Sequence, residues 1–77
     1  MKTTYIRLST IQDVRNFVEI VSASDIEIDL SSGRYLVDAK SIMGIFSLDL
    51  LNPIQLTAHS DDVGALFDKL APFIIKE

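Results

Sequence analysis

The sequence predicts an α+β fold, an open-faced β-sandwich in which three helices cover one face of a four-stranded sheet. Four short segments alternate apolar and polar residues, as strands with one buried face do. Three other segments repeat apolar residues at about 3.6-residue spacing, as amphipathic helices do. The segments follow one another in the order β-α-β-β-α-β-α. Because each helix has a single apolar stripe, we expect one sheet face to be buried and the other to be solvated.

The first strand and the first helix are predicted from the opening third of the chain. Residues 3–8 alternate and indicate a half-buried strand. Ser9 and Thr10 are both candidate helix N-caps, and Thr10 with Asp13 three residues later forms a variant of the capping box. The apolar stripe of the helix that follows consists of Ile11, Val14, Phe17, Val18 and Val21.

A hairpin and a short helix follow in the middle of the chain. Residues 26–31 alternate as a second strand, and Ser32-Gly33 turns the chain into a third strand over residues 34–38. Ser41 is a natural N-cap, because its hydroxyl can accept a hydrogen bond from an unpaired amide in the first turn. We expect this helix to end between residues 48 and 51, before Asn52-Pro53.

The last strand and helix complete the pattern. Residues 54–59 alternate as a fourth strand. Ser60 is the candidate cap of the last helix, and Asp61 and Asp62 would complement the helix dipole in its first turn. Pro72 disfavours helical geometry at the residue before it, so the helix should end near residue 70. Its apolar stripe consists of Val63, Leu66, Phe67 and Leu70.

Composition narrows the possible functions. The 77 residues predict one domain spanning residues 1–77, and a hydrophobic fraction of 48% suffices for one core. The net charge of −4, with no basic run, argues against nucleic acid and against an anionic membrane surface as partners. With no cysteine, disulfides and thiolate metal sites are excluded. The sequence shows neither a membrane-spanning run nor a signal peptide, so we expect a cytoplasmic protein.

The segment over residues 40–44, Lys-Ser-Ile-Met-Gly, followed by Ser47 and Leu48, resembles the regulatory-serine segment of HPr. HPr is the small histidine-containing phosphocarrier of the bacterial sugar phosphotransferase system. Weaker similarity in element order and length extends over nearly the whole chain. The resemblance implies the HPr-like fold, with an antiparallel sheet in the strand order 1-4-2-3. It also implies that Ser41 is a regulatory phosphorylation site, with Lys40 and free helix amides beside the phosphate.

The same resemblance implies a docking patch for partner proteins at Lys40, Ile42, Met43 and Phe46. The partners it implies are an HPr-type serine kinase/phosphorylase, a sugar-responsive transcription regulator and enzymes of the sugar system. The residues by themselves leave two alternatives open. In the first, Ser41 serves only as a helix cap, and in the second, the apolar side chains at this spacing point into the core.

The chain departs from HPr at the loop that carries phosphate in that family. There, a histidine in a Gly-x-His-Ala-Arg-Pro-like run lies between the first strand and the first helix. The corresponding run here is residues 8–13, and counting back from Ser41 without a gap places Thr10 at the histidine's position. Phosphocarrier chemistry needs an imidazole nitrogen, whereas Ser9 and Thr10 could form only an inert ester. We therefore expect a degenerate phosphocarrier loop that receives no phosphate from phosphoenolpyruvate.

Nothing in the sequence supports catalysis, a cofactor or a metal. His59 is the only histidine and is predicted to be solvated at the end of a strand. Glu27 and Asp29 lie on one face of a strand, where Arg7 and Arg34 are available to pair with them. The sequence contains no Gly-rich phosphate loop and no Ser/His/Asp arrangement, so we expect a protein that is not an enzyme.

Three hypotheses for function remain. The first is an HPr-like regulatory protein without phosphocarrier activity, which binds partners through residues 40–46 and is switched at Ser41. The alternative is a diverged interaction or structural domain that keeps the fold and is not phosphorylated. The third is a small-molecule binder that uses the open sheet face, with Tyr5 and His59 among its groups.

Overall fold

Four short strands form one antiparallel sheet in the spatial order β1-β4-β2-β3. The computed structural model describes residues 1–75. Its elements are β1 (Lys2–Ile6), α1 (Ile11–Ser22), β2 (Ile28–Ser32), β3 (Tyr35–Asp38), α2 (Ile42–Phe46), β4 (Ile54–Ala58) and α3 (Gly64–Leu70). The predicted order β-α-β-β-α-β-α and the predicted strand order are both confirmed. None of the helices described over residues 1–75 has the length and apolar character needed to cross a bilayer.

The core lies between the helices and the covered face of the sheet. Alternate strand residues such as Ile28 and Leu30 are fully buried, as period-two patterning requires. From the helices, Phe17 is fully buried and meets Phe73 edge to face, with ring centroids 6.0 Å apart. The opposite sheet face remains exposed or partly exposed, as predicted, and it carries Tyr5, Arg7, Glu27, Asp29, Leu36, Gln55, Thr57 and His59.

Two helix predictions differ from the structure. Ile11 was placed on the apolar stripe of α1, but its side chain is 65% exposed at the first helical position, outside the buried residues Val14, Phe17 and Val21. The second helix was expected to reach residues 48–51 but ends at Phe46. It stops there because the Ser47 hydroxyl donates a 2.6 Å hydrogen bond to the carbonyl oxygen of Gly44 and satisfies the helix end.

The start of α3 also differs from the prediction. Ser60 does not cap this helix, because the N-cap is Val63, which has no side-chain capping bond and is buried. Instead, the Ser60 hydroxyl accepts a hydrogen bond from the amide of Asp62 in the preceding turn. Asp61 lies 2.6 Å from the amino group of Met1, and this hydrogen bond lowers the pKa of the Asp61 carboxyl. The two acidic residues therefore precede the helix and do not form its first turn.

The two outer edges of the sheet differ. The edge of β1 is covered by the C-terminal segment, since Arg7 N–H donates to the Phe73 carbonyl at 2.8 Å and Ile75 N–H donates to the Tyr5 carbonyl at 2.9 Å. Ile74 forms an antiparallel bridge with Ile6 between these bonds. The other edge strand is β3, which joins the sheet through β2 alone.

Candidate functional site

A tight turn between β3 and α2 positions Ser41. The Asp38 carboxylate accepts a hydrogen bond from the Lys40 amide at 2.9 Å, and the Asp38 carbonyl accepts one from the Ser41 amide at 3.0 Å. Aspartate is favoured in such turns because its short side chain can bond to the backbone two residues later. The chain therefore leaves the sheet and enters α2 within three residues.

Ser41 is exposed and caps α2. Its hydroxyl oxygen accepts a 3.2 Å hydrogen bond from the Gly44 amide, with the extended backbone that an N-cap requires (φ −99°, ψ 104°). Its carbonyl also accepts the first helical bond, from Ile45 at 3.0 Å. The predicted capping role is confirmed. The residue stays exposed at the surface while it caps the helix.

Gly44 allows α2 to approach the sheet closely. A Cβ atom at this position would lie 3.1 Å from the Val37 Cβ and 3.2 Å from the Ser41 hydroxyl oxygen, closer than ordinary van der Waals contact. At Gly64, by contrast, an added Cβ would have no heavy atom within 4 Å. Close packing of α2 against β3 therefore explains the glycine at position 44 of the segment that resembles HPr.

We expect Gly44→Ala to destabilise the protein by about 1 kcal/mol, because overpacking typically costs about 1–3 kcal/mol while the helix gains up to about 1 kcal/mol from alanine. Gly64→Ala is the matched control and should be neutral or stabilising by up to about 1 kcal/mol. Urea unfolding of both variants measures the difference. Equal stabilisation by the two substitutions would show that α2 does not pack tightly against β3.

The α2 patch, defined as Ile42, Met43 and Phe46, lies beside Ser41. Met43 is 77% exposed and Phe46 is 42% exposed, while Ile42 is half-buried against the core. Residues three and four apart on a helix share a face, so Phe46 can meet a partner together with either of the other two. Of the neighbouring apolar residues, Ile45 and Leu48 are buried.

Lys40 differs from the other predicted docking residues. Its ammonium group donates a 2.8 Å hydrogen bond to the carbonyl oxygen of Ser24, just after α1, and the residue is half-buried. The prediction that Lys40 belongs to the docking patch did not foresee this contact. The charge therefore lies between the end of α1 and the start of α2.

The loop between β1 and α1 is closed by a capping box. The Thr10 hydroxyl accepts from the Asp13 amide at 3.0 Å, and the Asp13 carboxylate accepts from the amides of Ser9 and Thr10 at 3.0 and 3.3 Å. The prediction of a capping box is confirmed. A carboxylate of the chain itself thus occupies two amides of the loop between β1 and α1.

Comparison with known proteins gives matches among solved structures. No family model matches the sequence, and no curated protein matches it. The crystal structure of HPr-C-His from Thermoanaerobacter tengcongensis superposes with a TM-score of 0.78 and 29% identity, over 94% of this chain and 89% of that one. The chain has the HPr fold. Phosphocarrier protein HPr from Bacillus anthracis str. Ames superposes with a TM-score of 0.73 and 23% identity, over 96% of both chains.

On this HPr fold, the single histidine lies away from the β1–α1 loop. His59 follows β4, and its Nε2 is 2.6 Å from a carboxylate oxygen of Asp29 on the open sheet face. His59 is exposed, as predicted, but within residues 1–75 Asp29 pairs with this histidine and not with the arginines that the sequence made available to it. The strand register would have shown the pairing, because Asp29 lies opposite Thr57 and His59 is therefore its diagonal neighbour.

The structure offers no basis for a metal centre in the part of the chain that it describes. Over residues 1–75, no three histidine, aspartate or glutamate side chains converge as metal ligands would. The capping box and the Asp29–His59 pair instead use their carboxylates in contacts within the chain. The α2 segment therefore remains the candidate functional site of this HPr fold.

Proposed function

We propose that this chain is an HPr-like regulatory protein that binds partner proteins through the α2 patch and does not carry phosphate on histidine. The observation that supports it most is the exposure of Met43 on α2, since large apolar side chains are rarely left in water without a binding role when they cluster. The HPr fold adds support for protein partners of the sugar phosphotransferase type. Fold alone does not fix function, so the proposal rests on this segment.

Ser41 is the proposed switch. A phosphate on its exposed hydroxyl would add about −1.5 to −2 charges at neutral pH, directly beside the α2 patch. A partner that covers the patch with apolar surface would be excluded, whereas one that presents arginine or lysine would be favoured. The proposed partners are an HPr-type serine kinase/phosphorylase and a sugar-responsive transcription regulator, in the cytoplasm.

We expect an HPr-type serine kinase with ATP to add one phosphate to the wild-type chain and none to Ser41→Ala, as measured by intact mass. Ser47→Ala is the matched control, because Ser47 is also exposed and lies at the other end of α2, and this variant should still be phosphorylated. Circular dichroism checks folding, since loss of the cap costs about 0.5–2 kcal/mol. Absence of phosphate on the wild-type chain would contradict the switch.

We also expect no transfer of phosphate from phosphoenolpyruvate through the first enzyme of the pathway. The β1–α1 loop offers hydroxyls at Ser9 and Thr10, and the Asp13 carboxylate repels an anion from the amides of both. The Bacillus anthracis phosphocarrier protein serves as the positive control. Stoichiometric acid-labile label on this chain would contradict the proposal.

The second candidate is a diverged interaction or structural domain without phosphorylation. Two contacts favour this candidate, because they give the segment a structural role that needs no phosphorylation. Ser41 caps α2, and Gly44 packs against Val37. Under this hypothesis the kinase adds no phosphate, yet Met43 still contributes to a partner interface. The kinase experiment therefore separates the two candidates.

A further inference from the structure

The outer edge of β3 is open in the structure. The opposite edge, at β1, is covered by the C-terminal segment, whereas no segment within residues 1–75 pairs with the outer side of β3. Unpaired strand edges are templates for another strand, and proteins usually cover them or disrupt them with charge or proline. β3 has four residues and contains no proline.

Leu36 presents its backbone to this open edge. Ala39 N–H donates to the Ile28 carbonyl at 2.9 Å, which makes these two residues a hydrogen-bonded pair. Because hydrogen-bonded and non-hydrogen-bonded pairs alternate along an antiparallel ladder, the pair of Leu36 with Ser31 is a non-hydrogen-bonded one. The N–H and C=O of Leu36 therefore point away from β2, and its side chain is 69% exposed.

The charges beside Leu36 are self-complementary. Arg34 precedes it by two residues and Asp38 follows it by two, and both side chains are exposed. Neither takes part in an ion pair within residues 1–75, although one oxygen of Asp38 accepts from the Lys40 amide. When two β3 strands align antiparallel about Leu36, each Arg34 faces Asp38 of the other copy. Parallel alignment would instead place like charges opposite each other.

We propose that two copies of this chain associate through β3, antiparallel and centred on Leu36, to form one continuous eight-stranded sheet. The two-fold axis passes through the Leu36 pair, so each backbone bond and each ion pair is made twice. A second copy is favoured over an unrelated strand, because one five-residue segment, from Arg34 to Asp38, supplies both charges of the pair. The interface is small, so the association is weak and reversible. It uses none of the α2 patch residues.

Sedimentation equilibrium at concentrations up to about 1 mM should show a monomer–dimer equilibrium. Arg34→Glu should raise the dimer dissociation constant by about tenfold or more, because two attractions become two repulsions. Asp38→Lys should do the same. An equimolar mixture of these two variants should recover dimers, since the introduced carboxylate of one then faces the introduced ammonium of the other.

Arg15→Glu is the matched control, because it changes net charge equally at an exposed position of α1 and should leave the dissociation constant unchanged. Hydrogen exchange provides a second measurement, in which the Leu36 amide exchanges more slowly as protein concentration rises. A chain that stays monomeric at 1 mM overturns the proposal. A dimer insensitive to Arg34→Glu, or a mixture that fails to recover association, overturns it as well.

Discussion

Met43→Asp should leave the fold intact and weaken binding of an HPr-type serine kinase by roughly 30-fold. Met43 is 77% exposed, so the free chain loses little by the change, and surface substitutions usually alter stability by less than about 0.5 kcal/mol. In a complex the carboxylate would be buried against apolar surface without a partner, which costs about 2 kcal/mol or more. Calorimetric titration measures the affinity, and urea unfolding measures the stability.

Leu51→Asp is the matched control for this experiment. Leu51 is 86% exposed and lies after α2, outside the α2 patch, so the same change of charge should leave kinase binding unaltered. Equal weakening by both variants would indicate a general charge effect and not docking at Met43. Unfolding of Met43→Asp would contradict the exposed position that the structure assigns to this side chain.

Phe17→Ala should destabilise the chain by about 3–5 kcal/mol, a large share of the roughly 5–15 kcal/mol that stabilises a typical domain. Phe17 is fully buried under the sheet and contacts Phe73 edge to face. The substitution leaves a cavity where α1 meets the segment that covers the β1 edge. The midpoint of urea unfolding should fall accordingly.

Ile11→Ala on the same helix is the control for Phe17. Ile11 was predicted to be a core residue but is 65% exposed, so its truncation should change stability by less than about 0.5 kcal/mol. Similar losses for both variants would mean that Ile11 is buried in solution. Together, the two variants test which residues of α1 belong to the core and how much a core residue contributes to the free energy of unfolding.

The sequence predicted the sheet and its helices because period-two and helical patterns dominate local structure. Alternation placed Ile28 and Leu30 in the core without any knowledge of their neighbours. Helix ends were harder, because they depend on single hydrogen bonds. The Ser47 hydroxyl closes α2 earlier than the apolar pattern indicated, and Ser60 bonds to the Asp62 amide in the preceding turn instead of capping α3.

The candidate site was predictable as a segment, but the contacts around it were not. The cap at Ser41 follows from local sequence, since Ser41 and Gly44 are three residues apart. The bonds from Lys40 to Ser24 and from His59 to Asp29 join residues 16 and 30 positions apart. Such contacts require the three-dimensional arrangement of elements, and periodicity carries no information about them.

The capping box at the start of α1 bears on what a phosphate carried in the β1–α1 loop would require of this chain. The amides of Ser9 and Thr10 already donate hydrogen bonds to the Asp13 carboxylate. The negative charge of Asp13 therefore occupies the place that a phosphoryl group would need at these two amides. A histidine introduced at Thr10 alone would therefore meet electrostatic opposition, and it would also remove the hydroxyl that helps to close the loop. Phosphate transfer through a histidine in this loop would therefore need at least two coordinated changes, with the aspartate replaced before or together with the introduction of the imidazole.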